Sequence, residues 1–153
     1  MILERNGQGG FDLETFEWQR QMLAGLIPSL RDLLIDGSSP VLRRLYPTAY
    51  PDDAKANAAF DDLVHDQLLA QRLEALDTVE QSMAASHLTE DELVQWMNAV
   101  NSLRLVLGTR LDISEEDSPS QVADDDPDRA LWVSYELLTQ MLALIVDVLE
   151  ADL

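Results

Sequence analysis

From Phe16 onward the apolar positions recur every three or four residues: Phe16, Gln19, Leu23, Leu26 or Ile27, Leu30, and Leu33 or Leu34. This spacing predicts an amphipathic helix. Thr15 is placed to cap it, Glu17 falls in the positive first turn, and Gly37 ends it. Pro28 stands inside the run. It is expected to kink or break the helix near Leu26, because proline offers no N–H and collides with the preceding turn. Ser39-Pro40 has the form of a cap followed by a first helical residue, and starts a short second helix through Val41, Leu42 and Leu45. Tyr46-Pro47 stops it, since a residue before proline avoids the helical region. Tyr50-Pro51 keeps the chain extended, and Asp52 or Asp53 caps the next helix.

This third predicted helix carries Phe60, Leu63, Val64, Leu68, Leu73, Leu76, Val79 and Met83 on one stripe. Residues 53–85 contain neither proline nor glycine. A helix of that length spans about 50 Å, which exceeds the needs of so small a domain. It must bend near Leu73 or pack on another chain. Thr89-Glu90-Asp91-Glu92 is a capping box, with Leu88 and Leu93 at the staple positions. It opens a fourth helix through Leu93, Trp96, Met97, Val100, Leu103 and Leu107, ending near Leu111. Pro127, with Asp126 as cap, opens a fifth, whose stripe is Leu131, Tyr135, Leu138, Leu142, Ile145 and Leu149. Ahead of all these, Ile2–Arg5 and Phe11–Leu13 flank a glycine-rich turn. They read as a short β-hairpin or as a frayed terminus. The expected fold is all-α: a bundle of about five helices, possible hairpin included, forming one domain over 1–153. An acidic loop over 112–127 separates the last two helices.

Composition narrows the function more than it defines it. The 153 residues hold 10 basic and 29 acidic side chains, for a net charge of −19. Nucleic-acid binding needs a basic footprint to displace counterions, so DNA and RNA are not expected partners. Residues 1–76 carry 7 basic and 12 acidic groups, net −5, and residues 77–153 carry 3 and 17, net −14. There are no cysteines. That removes disulfides, thiolate metal sites and a cysteine nucleophile, and it suits the cytoplasm. No apolar leader opens the chain and no run of about 18 apolar residues occurs, so neither secretion nor membrane insertion is expected.

Motifs for chemistry are sparse. Asp62-x-x-His65 has the spacing of half a carboxylate-bridged di-iron site, but His87 lacks the matching acid three residues before it. A calcium loop starting at Asp124 would need glycine at 129 and glutamate at 135, where the chain has Arg129 and Tyr135. No nucleophile elbow, phosphate loop or zinc-protease motif is present. No catalytic residue, metal ligand or cofactor site is assigned, and an enzyme is not expected. Trp18, Trp96 and Trp132 fall on or beside apolar faces and suit packing.

Two features remain. Residues 42–54, LRRLYPTAYPDDA, gather scarce arginines with tyrosines and prolines. Most of this stretch has structural work as an elbow between helices, with the arginines expected to pair with acids of neighbouring helices. With Arg104 and Arg110, the residues Arg43, Arg44, Tyr46 and Tyr50 also form a candidate interaction site able to clamp an anionic group. The second feature is the breadth of the last helix's apolar stripe. It predicts a homodimer through Tyr135, Leu138, Met141, Leu142, Ile145 and Leu149.

The segment PVLRRLYPTAYPDDAKANAAFDDL, residues 40–63, is similar to the signature of an actinobacterial domain-of-unknown-function family. WMNAVNSLRLVLGTRLDISEED, residues 96–117, resembles that family's second hallmark, in the right order and separation. The resemblance covers essentially the whole chain and implies a small, acidic, cytosolic protein without assigned chemistry. It also implies frequent encoding near an adaptor of the Clp protease, and some members are labelled regulators. One departure is the stretch AFDDLVHDQLLAQRLEAL, where members carry more basic residues and this chain has only Arg72. The functional expectation is a non-enzymatic helical protein that binds a protein partner, as an accessory or regulatory factor linked to protein turnover; a transcription regulator is disfavoured by charge. The alternative is a small-molecule or anion binder, or an enzyme, using the Arg/Tyr cluster.

Overall fold

A small antiparallel sheet supports the start of the helical array. The computed structural model describes residues 1–46, 54–113 and 122–151, without the side chains of 54, 56, 57 and 59–63. Strand β1 (Ile2–Arg5) pairs with β2 (Gly10–Glu14) in the register Leu3↔Leu13 and Arg5↔Phe11. The glycine-rich segment makes the turn. Asn6 Oδ1 accepts from the amides of Gln8 and Gly10, and Gly9 takes φ +84°. The hairpin expected from the sequence is therefore present. A third strand has no counterpart in the sequence pattern: β3 (His87–Thr89) adds to β2 with Phe11↔Leu88. Gly10 permits this, because a Cβ there would lie 2.7 Å from the Leu88 carbonyl. Leu3, Phe11, Leu13 and Leu88 alternate onto the buried face. Asp12 takes the open face, where its carboxylate accepts from Asn6 at 3.2 Å and from His87 Nδ1 at 2.7 Å.

Four α-helices follow among the described residues: α1 (Glu17–Asp36), α2 (Ala54–Ser82), α3 (Glu90–Arg110) and α4 (Arg129–Glu150). The expected count of five included the segment after Ser39-Pro40. That segment is a single 3₁₀ turn, Pro40–Leu42, capped by Ser39 as anticipated. Pro28 does not break α1. Ile27 and Leu30 on either side are buried and hold the helix in place, while Pro28 itself is exposed, so water reaches the backbone group it leaves unpaired. Gly37 ends α1 in the left-handed conformation, its N–H bonded to the Leu33 carbonyl at 2.8 Å. The N-cap is Phe16 rather than Thr15, with the Gln19 side chain folding back to the Phe16 amide. The Thr15 hydroxyl is used elsewhere: it donates to the Met83 carbonyl at 3.0 Å and ties the start of α1 to the end of α2.

α2 is shorter than the sequence suggests, and the stripe positions Phe60 and Leu63 lie outside the described side chains. So do the elbow's Tyr46-Pro47 stop at its proline, the Tyr50-Pro51 step, the Asp52 and Asp53 caps, Asp62 of the histidine pair, and residues 114–121 of the acidic loop. The capping box at Thr89 is formed in both directions: Glu92 N–H donates to Thr89 Oγ1 at 3.1 Å, and Thr89 N–H to Glu92 Oε1 at 3.0 Å. Leu88 and Leu93 flank it, both buried. α4 starts two residues later than Pro127 suggests, with Asp128 as its cap residue.

α3 is the axis of the molecule. Its buried positions include Leu93, Trp96, Val100, Leu103, Val106 and Leu107, spread around more than one face, and α2 and α4 both pack on it. Trp96 is fully buried, and its indole N–H donates to Ser82 Oγ at 2.8 Å. One tryptophan thus joins α3 to the last turn of α2 through both packing and a directed bond.

Replacing Trp96 by Phe keeps most of the apolar volume but removes the indole N–H and leaves a void, which is expected to cost about 2 kcal/mol in a denaturant titration. On the open face of the sheet, the hydrogen bonds from Asn6 and then His87 hold the Asp12 carboxyl below the usual carboxylate range. A depressed folded-state pKa stabilises above the unfolded value and is lost as pH falls through the folded one. Thermal melting between neutral pH and strong acid should therefore show a slope below the ordinary aspartate pKa that is reduced in Asp12→Asn.

Candidate functional site

The elbow after α1 meets α2, α3 and the segment past α3 in a cluster of arginines bonded, among the described residues, to uncharged oxygens. Arg72 on α2 is half-buried. Its Nη2 donates to the Leu45 carbonyl at 3.1 Å and its Nη1 to Ser102 Oγ on α3 at 3.2 Å, while its Nε is buried without a partner among the described residues. Burial lowers its pKa, and the neighbouring Tyr46 opposes that shift. Leu45 is itself fully buried. One guanidinium therefore clamps the elbow backbone between two helices. The planar fork of arginine suits this, because it can serve two acceptors at fixed angles.

Tyr46 sits beside this clamp. Its ring lies 4.7 Å from the His65 ring, and its hydroxyl is buried with no hydrogen-bond partner among the described residues. Burial pushes the phenol pKa up, and the charge of Arg72 pulls it partly back. Arg44 donates from Nη2 to the Ile113 carbonyl at 3.1 Å, which fixes the chain leaving α3. Gly108 makes room for this contact. A Cβ at that position would stand 3.1 Å from both Arg44 Nη1 and the Tyr135 ring. Arg104 reaches Asn101 Oδ1 at 3.1 Å and the Tyr135 hydroxyl at 3.4 Å, with its guanidinium 6.0 Å from the centre of that ring.

The sequence groups six residues, and the structure divides them. Arg44, Tyr46 and Arg104 join the region where the elbow, α3 and Tyr135 meet. Arg43 is exposed at the end of the 3₁₀ turn. Arg110 lines a separate groove of about 400 Å³ with Leu26, Leu33, Val41 and Leu131. Tyr50 lies outside the described residues. Among the described residues the bonds of Arg44, Arg72 and Arg104 run to main-chain carbonyls, hydroxyls and an amide. An interior carbonyl accepts a charge-assisted bond without the cost of burying a second ion. Among the described residues, ion pairs lie at the surface, as in Arg31 with Asp77 and Glu80.

Arg72 and Gly108 are positions that the sequence pattern does not single out. Arg72 is visible as the lone basic residue in its stretch, one turn from Leu69 and Leu76. A cation on an apolar stripe signals a buried clamp. Gly108, inside a helix, signals a close approach. The candidate dimer face is also divided. Leu138, Met141 and Ile145 are buried in the molecule's own core, and Tyr135, Leu142 and Leu149 pack against it. Leu138, Met141 and Ile145 are thus spent on the molecule's own core, since a helical stripe does not say which neighbour it meets. Among the described residues no group of three or more histidine or acidic side chains is arranged to hold a metal ion. By length and composition, α4 is apolar enough to cross a membrane.

The clamp sets a contrast between two neighbours. Arg72→Lys keeps the charge but cannot reach both Leu45 and Ser102, and is expected to cost about 1–3 kcal/mol in chemical unfolding. Tyr46→Phe removes a buried hydroxyl with no described partner, and is expected to be neutral or slightly stabilising in the same measurement.

Comparison with known proteins gives a consistent picture. The chain is 35% identical over 127 residues to the oxidative stress regulator AosR of Mycobacterium tuberculosis and to that of Mycobacterium bovis, an alignment covering 72% of this chain and 58% of each relative. It is 32% identical over 124 residues to the putative oxidative stress regulator AosR of Mycobacterium leprae, covering 70% and 57%. The chain thus spans less than two thirds of the length of these relatives. No solved structure matches it. The relatives overturn the expectation of a factor linked to protein turnover, because their names point to regulation under oxidative stress. Residues 2–149 match the family described as domain of unknown function DUF2017, and the chain belongs to that family.

Proposed function

We propose that this protein regulates a response to oxidative stress. The observation that carries the reading is the 35% identity over 127 residues to proteins named for that role. Two properties of the chain shape how such a role would work. It has no cysteine, so these residues cannot register an oxidant through a thiol–disulfide pair. Detection through thiols would then fall to residues or a component outside this sequence. The net charge of −19 opposes contact with the phosphate backbone, so its output does not run through its own grip on nucleic acid. The absence of cysteine also suits a reducing, cytoplasmic setting.

The test is a deletion of the gene in its native host, challenged with hydrogen peroxide and with a thiol oxidant. Survival should fall, the transcripts induced by the oxidant should change, and the intact gene should restore both. Indistinguishable survival and transcripts in the deletion and parent strains would remove the reading.

A further inference from the structure

A groove of about 400 Å³ opens where α1, the elbow, α3 and the start of α4 meet. Two helical faces build it. On α1, Leu26, Ser29, Leu30 and Leu33 fall three and four residues apart, and on α3 Leu103, Leu107 and Arg110 do the same. Leu30, Leu103 and Leu107 are buried, while Leu26, Leu33, Val41 and Leu131 are half-buried and still meet water. The volume falls within the range of small-molecule sites, roughly 300–1,000 Å³. One charged side chain lines the groove, and in a chain with 29 acids and 10 bases that side chain is a cation. Arg110 is exposed and makes no hydrogen bond or ion pair with the described residues. Its place in the last turn of α3 suits the negative end of the helix dipole, but leaves its N–H donors unused. Two hydroxyls complete the lining. Ser29 gives its proton to the Gly25 carbonyl at 3.2 Å, whereas Ser39 Oγ accepts from the Val41 amide at 3.4 Å and keeps its own proton to donate. The unspent polar groups are thus donors, and no carboxylate among the described residues lines the groove.

We propose that this groove binds a small amphipathic carboxylate, in chemical class a medium-chain fatty acid, with its chain along the leucines and its carboxylate on Arg110. An apolar lining with one cation and one free hydroxyl proton matches an acyl chain with one anionic end. The planar guanidinium offers a carboxylate two parallel bonds. A neutral hydrocarbon would leave Arg110 and Ser39 unused, and a cationic amphiphile would meet Arg110 with like charge. A peptide segment would bring backbone donors and acceptors into a groove with little to pair them. The net charge of −19 opposes any anion at long range, but salt screens that field over about 8 Å at physiological ionic strength. A single small anion at Arg110 therefore feels the local cation most, whereas an anionic membrane would face the acidic surface as a whole. The ligand would touch all four segments, so binding braces Leu131 in the first turn of α4 against α1 and α3.

Titration of the full chain with hexanoate and octanoate, followed by methyl-resolved NMR, tests this. Methyl shifts should move at Leu26, Leu33, Val41 and Leu131 and stay fixed at Leu137 and Leu144, which line a separate groove. Affinity should rise about fourfold for each methylene added between the two acids. Octanol should bind about tenfold more weakly than octanoate, because it forgoes the charge-assisted bond. Arg110→Gln, at an exposed position, should bring octanoate down to the level of octanol. Four results would overturn the proposal: no saturable shift with octanoate, shifts centred on another surface, octanoate binding that Arg110→Gln leaves intact, or equal binding of octyltrimethylammonium. So would flotation with anionic phospholipid vesicles by a chain that ignores octanoate, which would give the groove to a membrane.

Discussion

Everything in this fold depends on the burial of α3. It has neighbours on more than one side, and Trp96 is its fixed point. The indole fills the space against α2, and its N–H finds Ser82. β3 ends where α3 begins, so Thr89 serves both as the last residue of the strand and as the helix cap. The sheet, α2 and α4 are therefore all positioned by reference to one helix. An apolar axis of this kind suits so acidic a chain, because the hydrophobic effect is indifferent to the sign of the surface charge.

The same acidity explains how the scarce arginines are used. With 10 basic side chains against 29 acids, a pairing with carboxylates would be available almost anywhere on the surface. At the joint, the described bonds take another course. Arg72, Arg44 and Arg104 bind carbonyl, hydroxyl and amide oxygens where the elbow crosses the bundle. A buried ion pair needs two desolvated charges, whereas a guanidinium on a carbonyl needs one. The elbow is held by a few directional bonds and by the close approach that Gly108 allows. The described part of the elbow, Leu42 to Tyr46, is tied into the bundle through the Leu45 carbonyl and Arg44.

Helical positions are legible from local patterns. Wherever one face of a helix is buried, apolar spacing reveals it, as for α1 and α3. The capping box and the Gly37 terminus are set by short-range backbone bonds and can be read directly. Errors arise where a local signal meets a tertiary demand. Pro28 disfavours a continuous helix locally, but burial on either side outweighs that preference. Thr15 is a good cap by type, yet its hydroxyl is taken by Met83, and Gln19 closes the helix start instead. The three residues of β3 are too few for a pattern. Their partner strand lies some 75 residues away, and only the missing Cβ at Gly10 hints at the contact.

The sequence alone determined the class of the protein: a mostly helical, acidic, cysteine-free domain, with its family resemblance carried by the elbow and by α3. These follow from composition and from interactions between residues close in the chain, whose energies do not depend on how distant parts meet. Only the tertiary structure decided direction. It placed Leu138, Met141 and Ile145 in the core and left Val133 exposed on the same helix. It also separated Arg110 from the other arginines, and it gave Arg72 a role that its isolation in the sequence only hinted at. An apolar stripe states that a residue must leave water. Which neighbour receives it is set by the packing of the whole chain.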